Sequence, residues 1–403
     1  MARRRHRTLY ALAAALASGA CAGVSSPPSP PSPPSPPTAR AGALLDAPVV
    51  APFVGRIEID PRDHPEVVVE IDEILASNAL NDPTFRAAVE TWVQYWQETA
   101  ATAVPDFLGR MGSFGSMVDS ALAEAGLPPS LRYLPFIESG YNPRAASRAR
   151  AVGMWQFMAA TADGLGMEVT PLLDERRDPL RSTEGAIAFL SDLHGEFGSW
   201  FAVLAAYNGG PNRMRRILAR HAPDAPVTDS LVWSLRGEFP RETRDFVPKL
   251  FGAVVVAANP EAHGHEAAPH APFRFDEVSV PDATTLDVIA SAASVPQAEI
   301  ERLNPQFVRG ITPRGRATAV RVPEGTGPEF AAAYALIPPE ERVSFVEHRV
   351  ANGETLSHIA TQYGVRVADL QAANPSVRPR ALRIGALLTV PVAPSARGSL
   401  SGG

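Results

Sequence analysis

The sequence predicts a mainly α-helical chain that closes with two small α+β modules. Three observations carry that prediction. Before residue 126, apolar residues recur at spacings of three and four. From Leu131 to Asn259, helical segments alternate with short glycine-bearing turns and little strand signal. Near the end, a segment that starts at Val280 returns 70 positions later. The 403 residues leave room for two or three domains and a substantial core. Apolar residues make up 45% and charged residues 20%, an ordinary globular balance. A formal net charge of -6 gives no broad basic field, which argues against nucleic acid as a partner.

The elements follow in order. Residues 1–21 read as an export signal. Arg3, Arg4, Arg5, His6 and Arg7 are a cationic start, and "LYALAAALASGA" is an apolar run too short to span a bilayer. Cys21 is the only cysteine, so no intramolecular disulfide forms. Residues 22–45 contain "SSPPSPPSPPSPPTARAG", a polyproline-type linker that at about 3.1 Å per residue would reach roughly 50 Å. A helical region is expected over 46–126, with Phe85, Val89, Trp92, Val93 and Trp96 as its core face. "DSALAEAGLPPSL" should end a helix at Gly126, with Pro128 and Pro129 as the stop.

Residues 127–259 are expected to form one all-α domain. In it, Ser182 or Thr183 is the expected cap of a helix, and "WFAVLAAYN" should be buried on every face. Residues 260–272 hold His263, His265 and His270 among Gly, Ala and Pro. The spacing fits no ordered metal site and reads as a solvated linker. No metal or organic cofactor is expected. The repeat then gives two modules, 273–325 and 345–393, each strand, helix, helix, strand and each expected to pack on its own. Thr285, Leu286, Ile289, Ala290, Val295, Asn304 and Pro305 return as Thr355, Leu356, Ile359, Ala360, Val365, Asn374 and Pro375. "GPEFAAAYALIPPEER" between them reads as a helix and a proline stop.

The stretch "FIESGYNP" places Glu138 where an apolar run becomes a turn. A helix C-terminus and apolar neighbours both disfavour the ionised carboxylate, which is what a general acid near neutral pH needs. A solvated glutamate, or one paired with Arg132 or Arg144, fits the spacing as well.

The longer run "IESGYNPRAASRARAVGMWQFMAATADGLGM" resembles the transglycosylase SLT domain, the lysozyme-like catalytic unit of bacterial lytic transglycosylases. The likeness rests on Glu138, Ser139, Tyr141, Pro143, Ala145, Ser147, Gly153–Met158, Thr161 and Ala162. Later blocks agree: "DPLRSTEGAIAFLSDL", "FAVLAAYNGGPNRM" and "FPRETRDFVPKLFGA". The run Arg150-Ala151-Val152 departs from the pattern, in a connecting loop. The two repeats resemble LysM modules, which bind glycans containing N-acetylglucosamine. The second, with Gly353-Glu354-Thr355-Leu356, is the better match. The first has Ala283 and Thr284 in place of Gly-Glu and is expected to be a degenerate, mainly structural copy. The order of parts is similar to membrane-bound lytic transglycosylases of the D type.

The resemblance implies a lysozyme-like catalytic fold and cleavage of peptidoglycan glycan strands between N-acetylmuramic acid and N-acetylglucosamine. A single glutamate, Glu138, would act as acid and then base, leaving a 1,6-anhydromuramoyl end. By the same analogy Ser147 and Gln156 line the cleft, Met158 supplies an apolar wall, Tyr207 hydrogen-bonds near the carboxyl and Asn208 holds the local geometry. Glu242 is a candidate supporting group, or else an ion-pair partner of Arg241 or Arg244. Trp155 and Tyr141 are either sugar platforms or core. "ASGAC" resembles a lipobox, although Ser18 departs from its aliphatic position, so Cys21 is a candidate lipid-anchor site in a periplasmic protein held at the outer membrane. A plain cleaved signal ending near Ala20 is the competing reading. Two other functions stay open: a hydrolytic muramidase with Glu168 or Asp178 activating water, and a non-catalytic wall-binding scaffold. The oligomeric state is not legible.

Overall fold

The computed structural model describes residues 72–391, apart from 171, 314, 344, 364, 380 and 381. The expected signal with Cys21, the proline-rich linker and the start of the helical region lie outside the described residues. Among those described, no helix is long and apolar enough to cross a membrane.

Among the described residues nine α-helices come first: α1 (Pro83–Gln94), α2 (Val104–Ala125), α3 (Leu134–Ser139), α4 (Ala159–Gly164), α5 (Pro179–Phe197), α6 (Trp200–Gly209), α7 (Pro211–His221), α8 (Asp229–Ser234) and α9 (Arg241–Ala258). Their ends obey simple rules. Asp82 caps α1 ahead of Pro83, and α2 stops at Gly126, whose φ of 65° suits a residue without Cβ. The cap of α5 is neither Ser182 nor Thr183. Asp178 takes that place, accepting from the Leu180 and Arg181 amides, because Asp followed by Pro179 is the stronger start. The Ser182 and Thr183 hydroxyls instead donate to carbonyls one turn back.

Helix α6 is apolar all round and buried from Trp200 to Ala206. It packs against α5, α7, α8 and α9. Helix α1 lies on α9 at close range, because a Cβ on Gly252 would stand 2.8 Å from the Trp92 Cβ.

The repeat folds as expected into two antiparallel two-stranded units. The first is β1 (Phe275–Val280), α10 (Leu286–Ala292), α11 (Gln297–Leu303) and β2 (Thr318–Pro323), followed by α12 (Gly327–Ala335). The second is β3 (Phe345–Arg349), α13 (Leu356–Gln362), α14 (Val367–Ala373) and β4 (Leu387–Pro391). Phe275 pairs with Pro323 in one sheet and Phe345 with Pro391 in the other. The repeated asparagine is a clamp in both. Asn304 donates to the Ile300 and Arg321 carbonyls and accepts from the Arg321 amide; Asn374 does the same with Leu370 and Thr389. It closes the second helix onto the last strand.

The first module does not pack on its own. Phe273, Phe275 and Leu303 belong to the core of the helical domain, and Leu173 of that domain belongs to the module's core. The Asp174 amide donates to the Gln306 carbonyl, and the Val308 amide donates to that of Leu172. Arg321, buried on β2, holds both oxygens of buried Asp178 at 2.9 and 2.8 Å. Helix α12 completes the module beyond residue 325, with Phe330 and Tyr334 in its core. The second module keeps a separate core of Val350, Leu356, Ile359, Ala360, Leu370, Leu388 and Val390.

The histidine-bearing segment 260–272 is not solvated along its length. The Ala268 amide donates to the Pro105 carbonyl, Gln97 bonds His263, and His265 is buried. No cluster of metal-ligating side chains occurs among the described residues.

Candidate active site

Glu138 is the fifth residue of the six-residue α3. Gly140 ends that helix at φ 60°, and Tyr141 follows in the same left-handed region at φ 58°. A side chain on Gly140 would stand 2.3 Å from the Phe107 ring, so the turn demands glycine both for conformation and for room. Tyr141 accepts the strain because its ring is fully buried and its hydroxyl donates to the Arg132 carbonyl at 2.6 Å. Ser139 donates to the Met154 carbonyl at 2.8 Å, tying the turn to the loop that follows.

The tip of Glu138 opens into a cavity of about 410 Å³, shared with Trp92 from α1, Asn208 from α6, and Arg241, Glu242, Asp245, Phe246 and Lys249 from α9. Burial pushes the Glu138 carboxyl up to about 7; Lys249 opposes that rise and Glu242 adds to it. Neither Arg132 nor Arg144 pairs with Glu138. Arg132 pairs with Asp119, and Arg144 donates to the Glu301 carbonyl at 2.5 Å. Among the described residues Glu138 makes no ion pair at all, so a neutral carboxyl costs no partner.

The expected site residues fall into two groups. Asn208 and Glu242 stand in the cavity with Glu138. The Asn208 side-chain carbonyl accepts from Thr243 at 2.8 Å and so joins the end of α6 to α9. Glu242 is exposed and pairs with neither Arg241 nor Arg244; both arginines turn to Asp245. Tyr207 does not hydrogen-bond the carboxyl. Its buried hydroxyl donates to the Trp155 carbonyl at 2.7 Å, while burial and the Glu138 charge hold its pKa well above the phenol range.

Ser147, Gln156 and Met158 lie on the loop beyond Asn142 and are not among the residues that line this cavity with Glu138. Exposed Ser147 accepts from the Ala151 amide at 3.0 Å. Gln156 lies in the left-handed region at φ 53° and donates to the Gly153 carbonyl at 2.8 Å. Met158 is 45% exposed, an apolar surface beside the loop. Trp155 is core: fully buried, with its indole NH on Thr183.

Arg176 holds this loop in place. It pairs with Asp174 and donates to the Arg150 and Phe157 carbonyls. A Cβ on Gly153 would lie 1.8 Å from the Arg176 carbonyl oxygen, so only glycine fits beneath it. Asp178 and Glu168, the carboxylates that could have activated water, are committed elsewhere, to Arg321 and Arg316.

Trp92, Arg241, Asp245, Phe246 and Lys249 line the cavity but were not read from the sequence as site residues. Trp92 was expected in the core but is only partly buried and lines the cavity. Lys249 lies within the "RETRDFVPKL" block, seven positions after Glu242 and on the same helical face as Asp245 and Phe246.

Family models match three parts of the chain in order. Residues 117–225 match the Transglycosylase SLT domain, 274–339 the LysM-like domain of lytic transglycosylase MltD, and 348–391 the LysM domain. The chain is 28% identical to membrane-bound lytic murein transglycosylase D of Escherichia coli over 285 residues, 67% of this chain and 62% of that protein's length. It is 27% identical to membrane-bound lytic murein transglycosylase F of Serratia proteamaculans over 193 residues, 38% of this chain and 37% of that one. Among solved structures, the 70 kDa soluble lytic transglycosylase of Escherichia coli aligns at 24% identity and a TM-score of 0.33, covering 44% of this chain and 30% of that one.

Proposed function

We propose that this chain, which carries an SLT domain ahead of an MltD-type LysM-like domain and a LysM domain, is a peptidoglycan lytic transglycosylase. The observation that carries the reading is Glu138: one carboxyl, raised to about 7 by burial, at the head of a cavity that could take a sugar ring.

Glycoside hydrolases usually work with two carboxylates. The cavity holds two other carboxylates: Asp245, engaged by Arg241 and Arg244, and Glu242, which is exposed to solvent and not held in a poorly hydrated setting as Glu138 is. One carboxyl suffices if the substrate supplies the nucleophile. Glu138 donates its proton to the bridging oxygen as the bond from the N-acetylmuramic acid anomeric carbon to that oxygen breaks, freeing the 4-hydroxyl of N-acetylglucosamine. The resulting carboxylate removes the proton from the muramoyl 6-hydroxyl, whose oxygen bonds to the same anomeric carbon and closes a 1,6-anhydro ring. Glu138 ends protonated, and no water is consumed. A pKa near 7 suits both halves. The LysM modules would hold the glycan strand, the second more than the first. An export signal and a lipid anchor at Cys21 would place the enzyme in the periplasm at the outer membrane.

The test is mass analysis of sacculi digested by the wild type and by Glu138→Gln. Anhydro ends from the wild type, with turnover reduced about 100-fold or more in the variant, are the expected result. Reducing ends would turn the reading into a hydrolytic muramidase. Undiminished clearing by the variant would remove Glu138 from the reaction.

A further inference from the structure

We infer that Lys249 is a positioning residue whose ammonium stabilises the Glu138 carboxylate during the interval between the two proton transfers, acting through its charge and not by carrying a proton. The inference rests on the single-carboxyl reading above.

The geometry comes first. Lys249 lies on α9 and reaches across to α3, where its ammonium donates to the Ile137 carbonyl at 2.7 Å. That carbonyl belongs to the residue just before Glu138. The ammonium is thus fixed to the backbone that carries the acid, in the same cavity, without gripping the carboxyl itself. It also stands 5.8 Å from the ring centres of both Trp92 and Trp96, a wall that favours a cation while excluding water. The Trp96 indole NH returns a bond to the Lys249 carbonyl at 3.4 Å. This is more apparatus than a lysine needs to cover an apolar surface.

A direct ion pair would defeat the reaction, because it would keep Glu138 ionised and useless as an acid. An ammonium held one residue away does less: it lowers the cost of the charged state without making that state permanent. The groups around Glu138 leave Lys249 as the cation with this position. From α9 come Glu242, Arg241 and Asp245, the last two engaged with each other. From α6 comes neutral Tyr207, spent on the Trp155 carbonyl. From α1 comes only the Trp92 indole, and from α2 comes Arg110, whose guanidinium is turned to the Gly140 carbonyl beyond the turn. Burial lowers the Lys249 pKa while Glu138 and Glu242 hold it up, so each charge supports the other.

The test uses the full chain with Lys249→Met and Lys249→Arg. The carboxyl carbon of Glu138, assigned by its loss in Glu138→Gln, is titrated by 13C NMR, and the pH profile of sacculus solubilisation is recorded alongside. Lys249→Met should raise the titration midpoint by about one pH unit. The alkaline limb of the profile should move with it, and turnover at pH 7 should fall roughly tenfold. Lys249→Arg, which keeps the charge, should stay near the wild type. An unmoved midpoint in Lys249→Met overturns the inference, whatever happens to the rate, since a merely structural lysine would change turnover without changing the titration. Should Lys249→Met fail to fold, Lys249→Gln keeps a donor for the Ile137 carbonyl and carries the same readout. The titration requires no turnover, so it judges Lys249 even if the products of cleavage prove not to be anhydro sugars.

Discussion

A carboxyl held near 7 in the folded chain and near 4.5 when unfolded is a burden at high pH. The sign follows from the protons. Between those two values the folded state keeps a proton that the unfolded state has released, so stability falls as pH rises across that window and levels off above it. The full loss is roughly 3 kcal/mol, from about 1.36 kcal/mol for each pH unit between the two values. Glu138→Gln removes it. Urea titrations at pH 5 and pH 8 should find the variant gaining stability over the wild type at the higher pH by up to that amount, with little difference at the lower. At this scale the sequence was informative about Glu138 because a short motif states its own local chemistry. The resemblance had Tyr207 hydrogen-bonding near the carboxyl but could not name its acceptor, the Trp155 carbonyl 52 residues away in sequence.

Between residue and domain stands the loop from Asn142 to Met158, held both by its own backbone bonds and by the Arg176 side chain. Two short bridges, Ala146 to Val152 and Val152 to Phe157, fold it on itself. Gly153 lies under the Arg176 carbonyl at φ 88°. Gly153→Ala has no conformation and no space, and should cost about 3 kcal/mol or more; a thermal melt of the variant beside Gly126→Ala, where a Cβ meets nothing within 4 Å, separates crowding from backbone strain. The same scale shows why helix faces were legible and the cavity was not. Glu242, Asp245, Phe246 and Lys249 fall on one side of α9 by simple periodicity. Nothing in α1 says that Trp92 will face that side, because an indole on an apolar stripe reads as core until its neighbour across the interface is known. The cap of α5 was misplaced for a local reason: two hydroxyl residues drew attention away from Asp178-Pro179.

For the molecule as a whole, the two modules are alike in fold and unlike in attachment. The first shares its core with the helical domain and is joined to it by a buried ion pair. The second has a core of its own, and its Arg309–Asp369 pair, at 2.5 Å and partly exposed, is a modest tether. A chain ending after Ile337 should therefore melt close to the full chain and still clear sacculi, whereas one ending after His270 should lose several degrees, because the helical domain loses Phe273, Phe275 and Leu303 from its core and Asp178 loses Arg321. Differential scanning calorimetry of the two truncations reads the contrast directly. The repeat itself was plain from sequence, down to the asparagine that clamps each copy. What the repeat could not reveal was that the copies had diverged in allegiance, since that depends on Arg321 meeting Asp178 across 143 residues.

That separation has a consequence for how the protein comes into being. A chain emerging from its N-terminus exposes Asp178 long before Arg321 exists. Until then, the Asp174–Arg176 pair beside Asp178, which fixes the Arg150 and Phe157 carbonyls, lacks the module that backs it. The last strand of the first module is thus a late keystone. Built in this order, the chain gains the Arg321–Asp178 pair only when most of its length has been made.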